Sequence, residues 1–111
     1  MEMPYDPAQP ERSQIDATPG ALVLDFGTNW CGYCNRASAS IAQALAGQPT
    51  VRHIKVEDGS GRPLGRSFAV RLWPTLVFLR DGHEVARLVR PDSVAAVRDA
   101  LTSLLVTSAR A

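Results

Sequence analysis

A chain of 111 residues, 45% hydrophobic and 21% charged, has the length of one domain and the composition of an ordinary globular one. Twelve Lys and Arg against eleven Asp and Glu leave a net charge of +1, without the basic excess of a nucleic-acid binder, and the apolar content argues against disorder throughout. No run approaches the roughly 20 apolar residues of a membrane span, and the opening Met-Glu-Met-Pro-Tyr-Asp lacks the basic-then-apolar pattern of a signal peptide. A monomer with no nucleic-acid or membrane partner is expected, in the cytoplasm, or in the periplasm if a leader has been removed.

Residues 1–20 carry Pro4, Pro7, Pro10 and Pro19, a density that forbids a long regular element. They read as an irregular arm lying on the domain, with room for one short helix between Pro10 and Ala17 anchored by Ile15. The domain proper is placed at 21–105, with 106–111 as a tail. Ala21–Phe26 is a short apolar run between Pro-Gly and Gly27, the pattern of a strand buried on both faces. Asp25 inside it is costly unless its carboxyl has a partner or a task. From Cys34 to Ala46 the apolar residues Ala37, Ile41, Ala44 and Leu45 recur at helical spacing, and Gly47 and Pro49 end the segment.

Val51–Glu57 alternates imperfectly as a strand. Asp58-Gly59-Ser60-Gly61 is a loop, and a short helix follows over Pro63–Ala69 with Leu64 and Phe68 on one face. Thr75–Leu79 and His83–Val89 flank Asp81-Gly82, a hairpin signal because both turn residues tolerate positive φ. Pro91-Asp92-Ser93 caps a last helix whose stripe is Val94, Val97, Leu101, Leu104 and Leu105. Strand–helix–strand requires a parallel pair and the hairpin an antiparallel one. The predicted architecture is α/β: a mixed sheet of four or five strands with helices on both faces.

The two cysteines, Cys31 and Cys34, stand directly after the first strand and at the start of the long helix. As a structural staple they are poor, since a four-residue loop gives about 2 kcal/mol in the chain-entropy model against about 3 for fifteen residues. As chemistry they are well placed. The helix N-terminus offers unpaired N–H groups and partial positive charge that stabilise a thiolate at Cys31, while Cys34 lies one turn deeper. One exposed nucleophile and one resolving thiol are what thiol–disulfide exchange needs. Zinc is the competing use of such a pair, but His53 and His83 lack zinc-finger spacing, so no metal is expected. Arg62, Arg66 and Arg71 read as a solvated face.

In order and spacing, Asp25-Phe26, Trp30-Cys31-Gly32-Tyr33-Cys34, Trp73-Pro74-Thr75 and Asp81-Gly82 resemble the thioredoxin family over roughly residues 21–105. The resemblance implies a thioredoxin-like fold and a thiol–disulfide oxidoreductase with no cofactor beyond a redox-active Cys31–Cys34 disulfide. Its implied partners are protein disulfides and a reductase that recharges it. Cys31 matches the nucleophile, Cys34 the resolving cysteine, and Asp25 the buried carboxyl that takes the resolving thiol's proton; the plainer reading of Asp25 is a hydrogen-bonded structural residue. Pro74 matches the family's cis-proline, with Trp73 and Thr75 beside it, and Trp30, Gly32 and Tyr33 complete the substrate-facing set. Either His53 or Lys55 takes the place of the buried lysine that often accompanies the Asp.

The departures are as informative as the matches. Tyr33 stands where reducing thioredoxins have proline, and Gly-Tyr resembles the dipeptide of bacterial disulfide isomerases. Ala39 replaces a helix-kinking proline, implying a straighter helix, and Arg90 replaces a substrate-facing glycine, making that rim bulky and positive. The leading expectation is a thioredoxin-like reductant. An oxidant or isomerase-type module, and a redox-inert binding module on the same fold, are the alternatives.

Overall fold

In the computed structural model, which describes residues 4–109 and side chains as far as Val106, the apolar run becomes strand β1 (Ala21–Gly27), buried along its whole length. Its burial follows from its position: β1 is parallel to β2 (Arg52–Glu57) on one side and antiparallel to β3 (Thr75–Arg80) on the other. β3 in turn pairs with β4 (His83–Val89), giving the order β2-β1-β3-β4. Four strands form the mixed sheet. Within the hairpin, Asp81 and Gly82 adopt φ of 53° and 82°, and a Cβ at Gly82 would run into the Asp16 backbone.

Because side chains alternate along a strand, the two central strands feed two cores. Val23, Leu76 and Phe78 face Ile41 and Leu45 of α2 (Gly32–Ala46) and Val97, Leu101 and Leu104 of α4 (Val94–Ala109). Leu22, Leu24, Phe26, Val77 and Leu79 face Ile15 of α1 (Arg12–Asp16), Leu64 of α3 (Pro63–Ser67) and Phe68. Helices therefore cover both faces, as the pattern predicts. Asp25 lies on the α2 side of β1, in step with Val23.

Boundaries differ where side chains decide them. α2 starts at Gly32 rather than Cys34 because the Cys31 Sγ acts as its N-cap, accepting from the Cys34 N–H at 3.2 Å. α3 stops at Ser67 because Ala69 turns left-handed at φ 57°. Ser93 caps α4, its Oγ accepting from the Ala96 N–H. α4 runs to Ala109, past the point where a tail is expected, and residues 110–111 of that tail lie outside the described ones. Among the described residues no helix is long and apolar enough to cross a membrane.

The N-terminal arm is held more firmly than its prolines suggest. Asp6 donates its N–H to the Lys55 carbonyl and accepts from the Glu57 N–H, a one-residue parallel bridge on the free edge of β2. Pro4 and Pro7 flank that bridge and have no N–H to extend it, so the arm does not grow into a fifth strand. The consequence is at Tyr5, which the bridge holds 4% exposed in the interior.

Candidate functional site

The site forms where the end of β1 meets the N-terminus of α2. Cys31 and Cys34 are both free thiols, with Cys31 8% exposed and Cys34 1%. The Cys34 N–H is spent on the Cys31 sulfur, so the two residues are in contact through the helix cap before any bond joins their sulfurs. Burial pushes the Cys34 thiol up to about 12. A hydrogen bond with Cys31 adds to this, and the hydrogen bonds that the Thr28 backbone and the Tyr5 hydroxyl offer to the thiolate form oppose it. Cys34 is thus held protonated at neutral pH, a thiol that must lose a proton before it can act as a nucleophile.

Asp25, buried in β1, has both carboxyl oxygens engaged. Tyr5 donates its hydroxyl to Oδ1 at 2.8 Å, and His53 Nε2 stands 3.1 Å from Oδ2. The choice between His53 and Lys55 is thereby decided: His53 contacts the carboxyl, while the Lys55 Nζ lies 4.4 Å from the centre of the Tyr5 ring. A groove of about 410 Å³ between α2 and β2 reaches Asp25, His53 and Lys55 from outside. Gly27 makes the crowding possible, since a Cβ there would lie 2.6 Å from the Cys34 Sγ and 2.8 Å from the Tyr5 hydroxyl.

Above the cysteines lies an aromatic and cationic rim. Trp30, 76% exposed, meets Trp73 edge-on with ring centres 5.7 Å apart. Trp73 is fixed from behind by Asp58, whose Oδ2 accepts from its Nε1 at 2.8 Å. The Trp73–Pro74 bond is cis, and Thr75, buried, donates its hydroxyl to the Leu72 carbonyl. Arg90 ties this loop to the cysteine motif: its N–H donates to the Pro74 carbonyl and its Nε to the Trp73 carbonyl, both at 2.8 Å. The same guanidinium stacks 3.7 Å from the centre of the Tyr33 ring, with Arg36 at 4.7 Å. Arg90 achieves this at φ 51°, a conformation uncommon for a residue with a Cβ. Gly32, in the first turn of α2, is exposed, and a Cβ added there would meet the Arg36 side chain at 3.7 Å.

All nine residues expected at the site from sequence therefore gather around one end of β1. Two others at the site carry no local mark in the sequence. Tyr5 sits in a proline-rich arm with no periodicity to mark it, and Asp58 belongs to a loop that reads as plain connection. The one available signal for Tyr5 was indirect: a carboxyl buried in β1 requires donors. Among the described residues no group of three or more His, Cys, Asp and Glu side chains could hold a metal ion.

Comparison with known proteins agrees with this geometry. The chain is similar to the structure of thioredoxin 2 from Pseudomonas aeruginosa PAO1 in its reduced form, with a TM-score of 0.86 and 48% identity over 96% of this chain and 99% of that one. It is 37% identical over 71 residues to a thioredoxin of Chlamydia trachomatis, covering 63% of this chain and 69% of the relative. It is 33% identical over 72 residues to thioredoxin H-type 1 of Nicotiana tabacum, covering 65% of this chain and 57% of the relative, less than two thirds of that protein's length. The thioredoxin family model matches residues 10–103, and the chain belongs to that family.

Proposed function

We propose that the chain is a thiol–disulfide oxidoreductase that reduces disulfides in other proteins and is itself recharged by a reductase. The observation that carries the reading is the pairing of Cys31 at a helix N-terminus, buried but for 8% of its surface where sequence leads one to expect an exposed thiol, with a fully enclosed, protonated Cys34 one turn below. Cys31 attacks the substrate disulfide and forms a mixed disulfide, and Cys34 then displaces the substrate by closing Cys31–Cys34. Two electrons pass to the substrate, with no cofactor beyond the dithiol. Trp30, Gly32, Tyr33, Trp73, Pro74 and Thr75 form the surface on which the substrate chain lies. A monomeric reductant of this kind works where thiols are kept reduced, and the cytoplasm is its proposed place.

One observation favours a second reading, an oxidising or isomerase-type module. Tyr33 stands where reducing thioredoxins have proline, and Arg36 and Arg90 both lie against its ring. The residue between the cysteines that departs from the reducing pattern is therefore packed into a positive rim, and the residues between the cysteines help set the redox poise.

Insulin reduction by dithiothreitol tests the activity: the parent accelerates it, and Cys31→Ser returns it to the uncatalysed rate. No acceleration by the parent would leave only a redox-inert binding module. Equilibration against glutathione then separates the two directions. A reductant lies near the thioredoxin value of about −270 mV, whereas a value between about −180 and −120 mV would favour the second reading.

A further inference from the structure

Release of the mixed disulfide requires Cys34 to lose a proton, and the buried carboxyl of Asp25 is the acceptor that the family resemblance implies. A group that the resemblance does not supply bonds the carboxyl and packs with Cys34. The Tyr5 hydroxyl donates to Asp25 Oδ1 at 2.8 Å, and it crowds the same Gly27 Cα as the Cys34 sulfur, the two lying 2.8 and 2.6 Å from where a Cβ would be. Tyr5, Cys31, Cys34 and Trp73 pack as one cluster, separate from both main cores. A hydroxyl can accept one hydrogen bond while donating another, so this one is suited to accept from the Cys34 S–H as it donates to the carboxylate.

We propose that the Tyr5 hydroxyl, brought in by the N-terminal arm, is the bridge by which the Cys34 proton reaches Asp25 when the mixed disulfide is resolved. The inference rests on the exchange activity proposed above. In the step, the Cys34 proton moves to the Tyr5 oxygen while the Tyr5 proton moves to Asp25 Oδ1. The freed Cys34 sulfur bonds to Cys31, the bond between Cys31 and the substrate sulfur breaks, and the substrate leaves as a thiolate. Asp25 ends protonated and Tyr5 ends as it began. Burial first, and then the neighbouring Asp25 carboxylate, hold the Tyr5 phenol well above its ordinary range. It therefore stays protonated at neutral pH and passes a proton through without storing a charge. The other charged and titratable groups facing this bridge are Cys31 from α2, Lys55 over the Tyr5 ring, and His53 on the far carboxyl oxygen. His53 also lines the groove that reaches Asp25, which gives the proton a route to solvent.

Dithiobis(nitrobenzoate) separates the steps. Cys31 releases a first thionitrobenzoate at a rate proportional to reagent, and Cys34 releases a second at a rate independent of it. Tyr5→Phe keeps the ring and removes the hydroxyl. It is expected to slow the second phase about tenfold at pH 7, below the roughly 10²–10⁴ of a fully positioned acid–base group because water can enter the gap. The first phase is expected to stay within about twofold, since Cys31 needs no proton from this bridge. The deficit shrinks as pH rises and hydroxide ionises Cys34 directly. In an Asp25→Asn background, Tyr5→Phe adds no more than about twofold, because both residues serve one path. An unchanged second phase in Tyr5→Phe, equal slowing of both phases, or a full tenfold effect on top of Asp25→Asn would each overturn the bridge. A parent with no second phase would overturn the exchange reading itself, and this inference with it.

Discussion

Cys34→Ser is expected to end turnover and to leave one substrate molecule covalently attached to each chain. The substitution spares the first step. Cys31 remains at the head of α2, and the residue 34 N–H that its sulfur accepts from belongs to the backbone. What disappears is the second sulfur, so the mixed disulfide has no internal exit and persists until an outside thiol attacks it. On a non-reducing gel the product runs at the combined mass of protein and substrate, and dithiothreitol separates them. Turnover near the parent rate would mean that release does not pass through Cys34.

Asp25→Asn is expected to slow release on the order of 100-fold at neutral pH, at the low end of what a positioned proton acceptor supplies. The fold is expected to remain at least as stable. The amide keeps an oxygen to accept from Tyr5, and it removes a charge whose burial is costly. Asparagine is a cleaner test than alanine because of those partners. From the sequence alone, Asp25→Ala is expected to stabilise the chain by removing a desolvated carboxyl. The structure adds a counterweight: alanine leaves the buried Tyr5 hydroxyl without its acceptor, at about 1–3 kcal/mol. Stopped-flow measurement of thionitrobenzoate release, beside urea denaturation, reads both quantities. Release at the parent rate would make Asp25 a structural residue.

Periodicity and punctuation made most of the fold legible. The length and flanks of Ala21–Phe26 favour an interior strand, Asp81-Gly82 is a strong hairpin signal, and the spacing of Ile41, Ala44 and Leu45 marks a helix face. The cysteine motif was legible because its neighbours in space are also its neighbours in sequence. What escaped were contacts closed through space. Tyr5 meets Asp25 across 20 positions and Asp58 meets Trp73 across 15, and no local pattern records either. His53 and Lys55 could not be separated from sequence because residues two apart on a strand share a face. In the sheet Asp25 is paired with Lys55, yet His53 contacts the carboxyl while Lys55 turns to the Tyr5 ring. Arg90 read as a bulky positive rim, and nothing in the sequence tells that its guanidinium holds the Trp73 carbonyl and covers Tyr33 at once.

The division of labour between the two thiols is open to a direct measurement. Reduced protein is treated with limiting iodoacetamide at pH 7, and each cysteine's peptide is quantified over time. Both thiols are buried, but Cys31 keeps 8% of its surface against 1% for Cys34, and the Cys34 thiol is pushed up to about 12, so its reactive thiolate is scarce. The account predicts that Cys31 is alkylated at least about 100-fold faster than Cys34. Equal labelling, or labelling of Cys34 first, would contradict it.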